Sequence, residues 1–502
     1  MISEKEFNQI CDISHSLMSE KDVSKTRMAI PALNIIRAHP IVLNRYRNIF
    51  NGNINNYYKI KFLLKILVFT SYCLYNYLIN TFFLKTKPTL NLKNQQLDLI
   101  FISHLLNSDY LSKTDDFYFG NVPKDLELKG FKTLRLYLKQ FKTNAFSKSK
   151  INNLEGRFVF SNCLNFRKEF IIWKSILLES IKLFQLSTTT NTPLKKNLLL
   201  FSALDALSGH TMKILRIGLQ IKSIVLEFNP KCFISPYEGH SFERISFSYA
   251  REVNPNIKCI AYQHTGVFKH SNAIFKTYNY LYNPDFILTT GYSSKKIFES
   301  KNEFKKIPIY VLGSNRGIID NEEFYSNDMN LNNLTCLILP EGIISECELL
   351  FNLSIVSAKK FPNINFIWRL HPLITFTQLR PLIGNEKDLP KNIIISTSSL
   401  ENDIKSAQLV LYRGTSAVFK AISYGLIPIY FQFNDEISID PLWDLIDGKV
   451  IIKNEDDFFT YLNSINNDYI SEIKTTLISK FRKHTSSTFS EFNFNVIEKL
   501  AR

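Results

Sequence analysis

Apolar runs that stop abruptly at short polar clusters recur along this chain. Five of them are DLIFISHL, CFISPYEGH, KCIAYQHTG, NFIWRLHP and LVLYRGTSA, and four of these contain a histidine. An amphipathic stretch usually follows, as between Leu409 and Phe431. This alternation predicts β-strands followed by helices in a parallel α/β sheet. Because ligands bind outside the carboxyl ends of such strands, the polar clusters indicate a functional site.

The alternation occurs twice, so we expect two domains. We predict a helical extension at residues 1–94, a first Rossmann-like domain at 95–312 and a second at 313–502. The segment IPIYVLGSNRGIIDNEEF, with two glycines and a polar run, is typical of the linker between them. The predicted strands of the first domain are 98–103, 197–202, 231–235, 258–262 and 285–289. The predicted fold class is α/β, with two Rossmann-like domains facing each other across a cleft.

The length and charge of the chain narrow the choice of partners. A chain of 502 residues is too long for one core. Its formal net charge of +16 indicates an anionic partner, such as a membrane surface, nucleic acid or a phosphorylated substrate. Nucleic acid is disfavoured because the sequence has no RNP-type aromatic motif, zinc finger or long Lys/Arg block. The 7 cysteines form no CxxC pair, which is typical of reduced thiols in a cytoplasmic protein.

One apolar stretch bears on membranes. Residues 66–84 carry no charge and are flanked by lysines on both sides, which is nearly the length of a membrane span. Asn76 and Asn80 dilute its hydrophobicity. Three interpretations remain open: a helix buried against protein, an interfacial helix and a true span. The first residues, MISEKEFNQ, are polar and acidic and do not resemble a secretory signal.

The second half contains two candidate donor-binding elbows. Arg369, His371 and Pro372 end an apolar strand, where arginine and histidine supply hydrogen-bond donors suited to a phosphate and proline fixes the direction of the histidine. A structural role is the competing interpretation, because His-Pro pairs are common. Glu341 and Gly342 follow the first strand of this half, where glycine permits a tight turn and the carboxylate could accept from a ribose hydroxyl.

A third elbow in the second half consists of Arg413, Gly414, Thr415 and Ser416, which follow a strand and precede a helical pattern. Backbone N–H groups and hydroxyls at the beginning of a helix can bind an anion, and glycine allows close approach. A plain N-cap explains the same residues equally well. Arg413 is a candidate cleft residue.

The first half contributes candidates for acid–base chemistry. Glu238 follows a strand and could act as general base toward an acceptor hydroxyl. His264 ends the next strand and could donate to a phosphate or align the acceptor, or be a buried structural histidine. His104 and His240 also lie at strand ends and are candidates for the cleft. Glu243 and Arg244, one turn further on, are interpreted as charges on the face of the following helix.

Some motifs are missing from the sequence. It contains no Asp-x-Asp, which argues against a metal-dependent transferase. It contains neither a GxGxxG after a strand nor a GxxxxGK[ST], which argues against a dinucleotide enzyme and a P-loop NTPase. No set of ligands has metal spacing, so we predict neither a metal site nor a cofactor.

Taken together, these motifs resemble the bacterial two-domain sialyltransferases and related CMP-sugar transferases of GT-B fold. In that group an acidic pair followed by glycine supplies the base, and His-Pro and a Ser/Thr pair hold the CMP phosphate. The resemblance covers mainly residues 230–430 and places the base at Glu238. It departs at Tyr237, which stands at the first acid of the pair, and in the order of the hydroxyl pair, Thr415-Ser416.

Two other groups are similar to parts of the pattern. YEGHSFER, YQHTG, RLHP and GTSA resemble bacterial surface-carbohydrate biosynthesis proteins. Teichoic-acid polyol-phosphate transferases share Gln-His, Arg-x-His-Pro and Thr-Ser, although the Ser-Asp expected before their hydroxyl run is missing.

The resemblance implies a metal-independent inverting glycosyltransferase that uses a CMP-activated acidic sugar, sialic-acid-like or Kdo-like. It would build lipopolysaccharide, O-antigen or capsule at the inner face of the cytoplasmic membrane. Its expected partners are a nucleotide-activated sugar, a glycan or lipid-linked acceptor and peripherally the membrane, but no nucleic acid. The alternatives are a CDP-polyol phosphotransferase of teichoic-acid type and a non-catalytic membrane-associated assembly protein.

Overall fold

The structure is a computed structural model of the chain. It describes residues 2–38, 40, 43, 46–51, 56–82, 96–105, 113, 115–139, 156–315, 334–372, 374–433, 436–465 and 467–502.

The described residues form a first parallel sheet of seven strands in the order β3-β2-β1-β4-β5-β6-β7. The strand order reverses between β1 and β4, which makes these two neighbours the topological switch point of the sheet. The strands are β1 (Leu99–Leu105), β2 (Thr133–Lys139), β3 (Arg157–Val159), β4 (Cys232–Pro236), β5 (Lys258–Gln263), β6 (Phe286–Thr289) and β7 (Ile309–Val311).

A second parallel sheet has six strands within the described part of the chain, in the order β10-β9-β8-β11-β12-β13. Its switch point lies between β8 and β11, where Leu339 pairs with Tyr412. The strands are β8 (Thr335–Leu339), β9 (Asn365–Trp368), β10 (Ile393–Ile395), β11 (Leu409–Tyr412), β12 (Ile427–Phe431) and β13 (Val450–Ile452).

Helices precede, connect and follow the strands. In the described residues they are α1 (Glu4–Met18), α2 (Lys25–Met28), α3 (Pro31–Ala38), α4 (Arg47–Asn51), α5 (Asn56–Phe82), α6 (Val122–Leu128), α7 (Phe166–Thr189), α8 (Pro193–Ala206), α9 (Gly209–Phe228), α10 (Ser241–Val253), α11 (Tyr292–Glu299), α12 (Ile344–Lys360), α13 (Phe376–Ile383), α14 (Leu400–Lys405), α15 (Ala417–Ser423), α16 (Glu455–Ser464), α17 (Asn467–Thr488) and α18 (Phe494–Ala501).

The predicted fold class is confirmed. Strands such as β4, β8 and β11 are buried along their whole length, as expected for central parallel strands covered on both faces, and this is why their sequences are continuous apolar runs. Two doubly wound sheets in one chain give the GT-B arrangement of two Rossmann-like domains.

The N-terminal helices share the core of the first sheet. Phe7, Ile10 and Leu33 are fully buried in the same apolar cluster as residues of β1 and β4. Arg27, which is 1% exposed, donates to Glu179 of α7 at 2.6 Å. The predicted boundary at residue 94 stays a prediction, but α1 to α3 pack as an integral layer of the first domain.

The C-terminus returns to the first domain after the second sheet is complete. Asn493 N–H donates to the Leu312 carbonyl at 2.6 Å, and Lys258 Nζ donates to the Leu500 carbonyl at 2.8 Å. Gly313, with φ +92°, allows this crossing segment to approach, since a Cβ there would meet the Glu491 carbonyl and lie 2.8 Å from the Cα of Phe492. The crossing therefore ties the two domains together at backbone level.

We expect Gly313→Ala to destabilise the protein by clearly more than Gly130→Ala. Both glycines have φ near +90°, so alanine costs about 1–2 kcal/mol in left-handed strain at either position. Only Gly313 adds a backbone clash, because nothing lies within 4 Å of a Cβ at Gly130. Urea unfolding of both variants measures the difference. An equal decrease in the free energy of unfolding would show that residues 491–492 can move away from the new side chain without cost.

One strand prediction is wrong. The segment Asn197–Ser202 lies within helix α8, not in the sheet. Its leucines Leu198, Leu199 and Leu200 are all buried, so the run is apolar because the helix is covered by protein on several sides. The strands predicted near 98, 231, 258 and 285 are β1, β4, β5 and β6.

The apolar stretch after residue 58 forms a helix that is mostly exposed. Residues Tyr58–Ile79 of α5 have a mean hydropathy of 1.5 in their most apolar window, of which 11% is buried. In the described part of the chain, α5 is the one helix that is long and apolar enough to cross a membrane by itself. Helices α8 and α9 are long and apolar enough only when taken together, and the bend between them is 67°. The interpretation of residues 66–84 as a helix buried in protein is wrong for residues 66–79. The side chains of residues 80–82 and residues 83–84 lie outside the described part of the chain.

Candidate functional site

The carboxyl ends of β1, β4 and β5 bring four predicted residues together. His104 lies near the end of β1, Glu238 and His240 follow β4, and His264 follows β5. These strands are neighbours at the switch point of the first sheet, where ligands bind in open α/β folds. We call Glu238, His240, His264, Thr265 and His104 the first-domain cluster.

Glu238 is the centre of this cluster. Its Oε2 lies 3.0 Å from His240 Nε2, and its Oε1 accepts a hydrogen bond from Thr265 Oγ1 at 2.8 Å. His264 Nε2 lies 3.7 Å from Oε1. The side chain is 33% exposed, so the carboxylate is both fixed in position and reachable by a substrate.

A buried carboxylate holds the loop that carries Glu238. The backbone N–H groups of Glu238, Gly239 and His240 all donate to the Glu243 carboxylate at 2.9 Å. Glu243 and Arg244 are both 0% exposed, so their interpretation as charges on the helix face is wrong. Gly239 has φ +83°, and a Cβ there would collide with the backbone of Ala273. The loop conformation therefore depends on glycine and on this buried carboxyl group.

Electrostatics keep Glu238 ionised. Burial alone would raise its pKa, but the charge of His264 and the hydrogen bond and charge of His240 lower it well below its usual range. Burial would likewise lower the pKa of His240, but Glu238 and the charge of Glu243 raise it to about 9. Glu238 and His240 therefore form an ion pair at neutral pH.

His104 is an uncharged side chain next to the Glu238–His240 pair. Its Nδ1 lies 2.7 Å from the Tyr118 hydroxyl, and the Tyr118 ring packs edge-on against His264 with centroids 4.1 Å apart. Burial, followed by the positive charges of His264 and His240, lowers the pKa of His104 to about 3. His104 therefore stays uncharged and orients Tyr118 against the cluster.

We expect the His240–Glu238 pair to stabilise the fold in a defined pH window. The pKa of His240 rises from 6.5 to about 9 on folding, so its contribution is complete below about pH 6.5 and is lost as the pH rises through about 9. The difference in melting temperature between wild type and His240→Asn should shrink across this window. A difference that does not change with pH would contradict the ion pair.

The second sheet brings its candidates together at its own switch point. His371 follows β9, Glu341 and Gly342 follow β8, and Gly414 follows β11, on three neighbouring strands. A Cβ at Gly342 would lie 2.7 Å from His371 Nδ1, and one at Gly414 would lie 2.9 Å from Glu341 Oε2. The absence of a side chain at both glycines therefore lets His371 and Glu341 lie close to the backbone of the neighbouring strand ends.

The hydroxyl pair completes what we call the second-domain cluster, defined as Glu341, Gly342, His371, Gly414, Thr415 and Ser416. Thr415 Oγ1 accepts from Ala417 N–H at 3.3 Å, and Ser416 occupies the N-cap position of α15. Burial lowers the pKa of His371, so its ring is neutral and can donate one hydrogen bond at a time. Pro372 is exposed directly after it.

The two predicted arginines are bound to acidic side chains of their own domain. Arg413 is 2% exposed and donates to Glu346, to Glu436 at 2.7 Å and to the Phe431 carbonyl at 2.8 Å. It braces the loop behind the cluster instead of facing a cleft. Arg369 donates to Asp403 at 2.6 Å and to the Ser398 carbonyl at 2.8 Å, and it is 27% exposed.

The two clusters face each other. Burial, then the charge of Glu346 and, less strongly, that of Glu238 in the first domain raise the pKa of Glu341 to about 7. The loop after β5 crosses to the second domain, where Trp443 Nε1 donates to the Val267 carbonyl at 2.8 Å. A Cβ at Gly266 would lie 3.1 Å from the Phe419 ring of α15. The clusters thus line one cleft.

The described residues contain no group of three or more His, Cys, Asp or Glu side chains that could hold a metal ion.

Three residues of the site were not predicted from the sequence: Thr265, Tyr118 and Glu243. Thr265 was adjacent to a predicted histidine, so its position at a strand end could have identified it. Tyr118 and Glu243 act through contacts that only the fold creates.

No family model matches the chain, and no curated protein matches its sequence. Among solved structures, the glycotransferase of kitacinnamycin is similar at 9% identity and a TM-score of 0.46, over 81% of this chain and 99% of that one. MurG of Acinetobacter baumannii has 11% identity and a TM-score of 0.46, over 80% and 98%. The UDP-GlcNAc 2-epimerase of Methanocaldococcus jannaschii, in complex with UDP-GlcNAc and UDP, has 13% identity and a TM-score of 0.42, over 74% and 92%. These likenesses span transferases and epimerases and assign no activity to this chain.

Proposed function

We propose that this protein is a metal-independent inverting glycosyltransferase that uses a nucleotide-activated sugar. The observation that carries the proposal is the pair of facing clusters: an ionised glutamate held by histidines in the first domain, opposite a neutral histidine and two hydroxyls in the second. Such a cleft can receive a proton on one side and meet the charge of a leaving phosphate on the other.

Glu238 is the proposed general base. As the acceptor oxygen bonds to the anomeric carbon, its hydroxyl becomes acidic and passes its proton to the Glu238 carboxylate. The low pKa of Glu238 keeps it ionised before the reaction but makes it a weak base, so proton transfer depends on the development of the new bond. His264, whose Nε2 lies 3.7 Å from Glu238 Oε1, aligns the carboxylate and helps to keep it ionised.

The second-domain cluster is the proposed nucleotide site. The bond between the anomeric carbon and the phosphate oxygen breaks, and the electron pair leaves with the nucleotide phosphate. His371 and the hydroxyls of Thr415 and Ser416 would donate to that oxygen. Gly342 lets the His371 ring, and Gly414 the Glu341 carboxylate, lie close to the backbone of the site. The pKa of Glu341 is about 7, so this residue is partly protonated at neutral pH and repels the phosphate less than a fully ionised carboxylate would. Its side chain can also accept a hydrogen bond from the ribose.

The donor we favour is a CMP-activated acidic sugar, and the product a bacterial surface polysaccharide. This finer proposal is supported by the order of the motifs Glu-Gly, His-Pro and Thr-Ser along the sequence. It places the enzyme in the cytoplasm at the inner face of the membrane. Scattered, reduced thiols are compatible with that compartment.

A donor hydrolysis panel with EDTA present tests the proposal. We expect slow release of CMP from a CMP-sugar, and transfer to an added glycan with inversion at the anomeric carbon. Release of CMP together with a transferred polyol phosphate from a CDP-alcohol would favour the phosphotransferase alternative. Epimerised sugar, or turnover that requires a divalent metal, would contradict the proposal.

A further inference from the structure

Helix α5 presents a broad apolar surface to solvent. Its outward side chains are exposed by 56–65%, although they are aliphatic or aromatic: Ile60, Leu63, Leu64, Leu67, Val68 and Tyr75. Such a continuous patch on one helix marks an interaction site in a soluble domain.

The opposite side of α5 is packed along α7. Phe62 stacks on Phe184 with centroids 4.2 Å apart, Trp173 Nε1 donates to Thr70 Oγ1 at 3.3 Å, and Tyr77 meets Phe166 edge-on at 5.3 Å. Residue numbers rise along α5 while they fall along α7, so the helices are antiparallel over their length. Helix α7 carries exposed charges and the buried Glu179 and could not follow α5 through a bilayer. Helix α5 is therefore held against the protein surface.

The patch extends onto α7 and has basic edges. Phe166, Phe170 and Ile171 are 61%, 49% and 54% exposed next to the C-terminal half of α5. Exposed Lys59 and Lys61 lie in the first turns of α5, which contains no acidic residue. An apolar face with lysines beside it suits an anionic lipid surface. A second copy would bring a second net charge of +16 against the first.

The patch is linked to the first-domain cluster through α9. The Sγ of Cys73 lies 3.3 Å from the Sδ of Met212, and a Cβ at Gly209 would lie 2.7 Å from the Tyr72 hydroxyl. The next residue, Lys213, is near enough to His104 to contribute to lowering its pKa, after burial and the neighbouring histidines. Helix α9 thus contacts α5 through Gly209 and Met212 and carries, at Lys213, a charge that acts on His104 of the first-domain cluster.

We propose that the outward face of α5, with Phe166, Phe170 and Ile171 of α7, docks on an anionic lipid bilayer with α5 parallel to the membrane plane. Docking in this way brings the acceptor side of the cleft close to lipid headgroups, where a lipid-linked acceptor would be presented. The docking itself does not depend on the proposed chemistry.

Vesicle co-sedimentation of the full-length protein tests this proposal. We expect binding to equimolar phosphatidylcholine–phosphatidylglycerol vesicles and much weaker binding to phosphatidylcholine alone. A variant carrying Leu64→Gln, Leu67→Gln and Val68→Gln should lose about tenfold or more in partitioning, since these side chains insert into the interface. The matched control is Leu128→Gln, Ile446→Gln and Ile451→Gln, which replaces apolar side chains elsewhere that are 55–89% exposed and should bind like wild type.

Three outcomes would overturn the proposal. The first is equal sedimentation of wild type and the α5 variant with vesicles. The second is a wild-type dimer that does not bind vesicles and becomes monomeric in the α5 variant. The third is resistance of the membrane-bound protein to extraction with alkaline carbonate, which would indicate a membrane-spanning helix. Melting temperatures of all variants confirm folding. Nucleotide binding measured on the same α5 variant should stay unchanged, which separates this proposal from the catalytic one.

Discussion

Replacing Glu238 with glutamine should abolish most glycosyl transfer while leaving nucleotide binding intact. The amide keeps the size of the side chain and can still accept from Thr265, but it cannot take the acceptor's proton. General-base catalysis contributes roughly 100-fold to 10,000-fold, and we expect a loss in turnover of that order. Initial rates, donor affinity and melting temperature measured on one preparation provide the test.

A matched Glu227→Gln variant controls for the loss of one carboxylate, since Glu227 is exposed on α9. Near-normal turnover in Glu238→Gln would remove the base assignment. If His264→Gln instead abolishes transfer and Glu238→Gln retains a substantial part of it, His264 is the essential residue and the assignment of Glu238 as the base is wrong. A lower melting temperature of Glu238→Gln without a selective decrease in turnover would indicate that Glu238 has a structural role.

Replacing His371 with alanine should impair donor use. The histidine packs over Gly342 between the ends of β8 and β9, so its ring is held in place before the donor binds. Loss of one preorganised donor to a developing charge costs on the order of 100-fold to 1000-fold in turnover. Kinetics together with calorimetric titration of the nucleotide would measure the effect, and we expect Ser416→Ala to act in the same direction.

His210→Ala is a suitable control because His210 is exposed in the first turn of α9, in the other domain. Unchanged donor affinity and turnover in both His371→Ala and Ser416→Ala would show that the second-domain cluster does not bind the donor phosphate. A drop in stability alone would assign His371 to packing over Gly342.

Strand ends were the most predictable part of this protein. Runs such as CFISP and LVLY are apolar because both faces of a central parallel strand are covered, and the polar residues begin where the strand leaves the core. Since parallel strands all end at the same edge, Glu238, His264 and His371 could be expected near a cleft before any coordinates were known.

The errors have physical causes of a different kind. Leu198 to Phe201 form a continuous apolar run because α8 packs against α7 and the N-terminal helices. A short apolar run of this kind does not distinguish a buried helix from a buried strand. Strand β2 was not predicted, because its sequence TLRLYLK includes Arg135, which is nevertheless buried.

Long-range ion pairs were also beyond sequence reasoning. Arg413 resembles a ligand-binding arginine at a strand end, but its partner Glu346 is 67 positions away in sequence. Glu243 has the spacing of a helix-face charge, whereas three backbone N–H groups of the preceding loop converge on it. In both cases the side chain supports the site from behind, and only the folded arrangement reveals it.

Nucleotide binding is the most direct test of the central claim that the second-domain cluster holds a nucleotide without a metal. Thermal shift of the purified full-length protein in EDTA, with CMP, CDP, UDP and GDP, provides the measurement. A ligand present at about 100 times its dissociation constant stabilises the native state by roughly 2.7 kcal/mol. We expect CMP to give the largest shift in wild type and little shift in His371→Ala. Absence of a shift with every nucleotide, or an equal shift in both proteins, would contradict the claim.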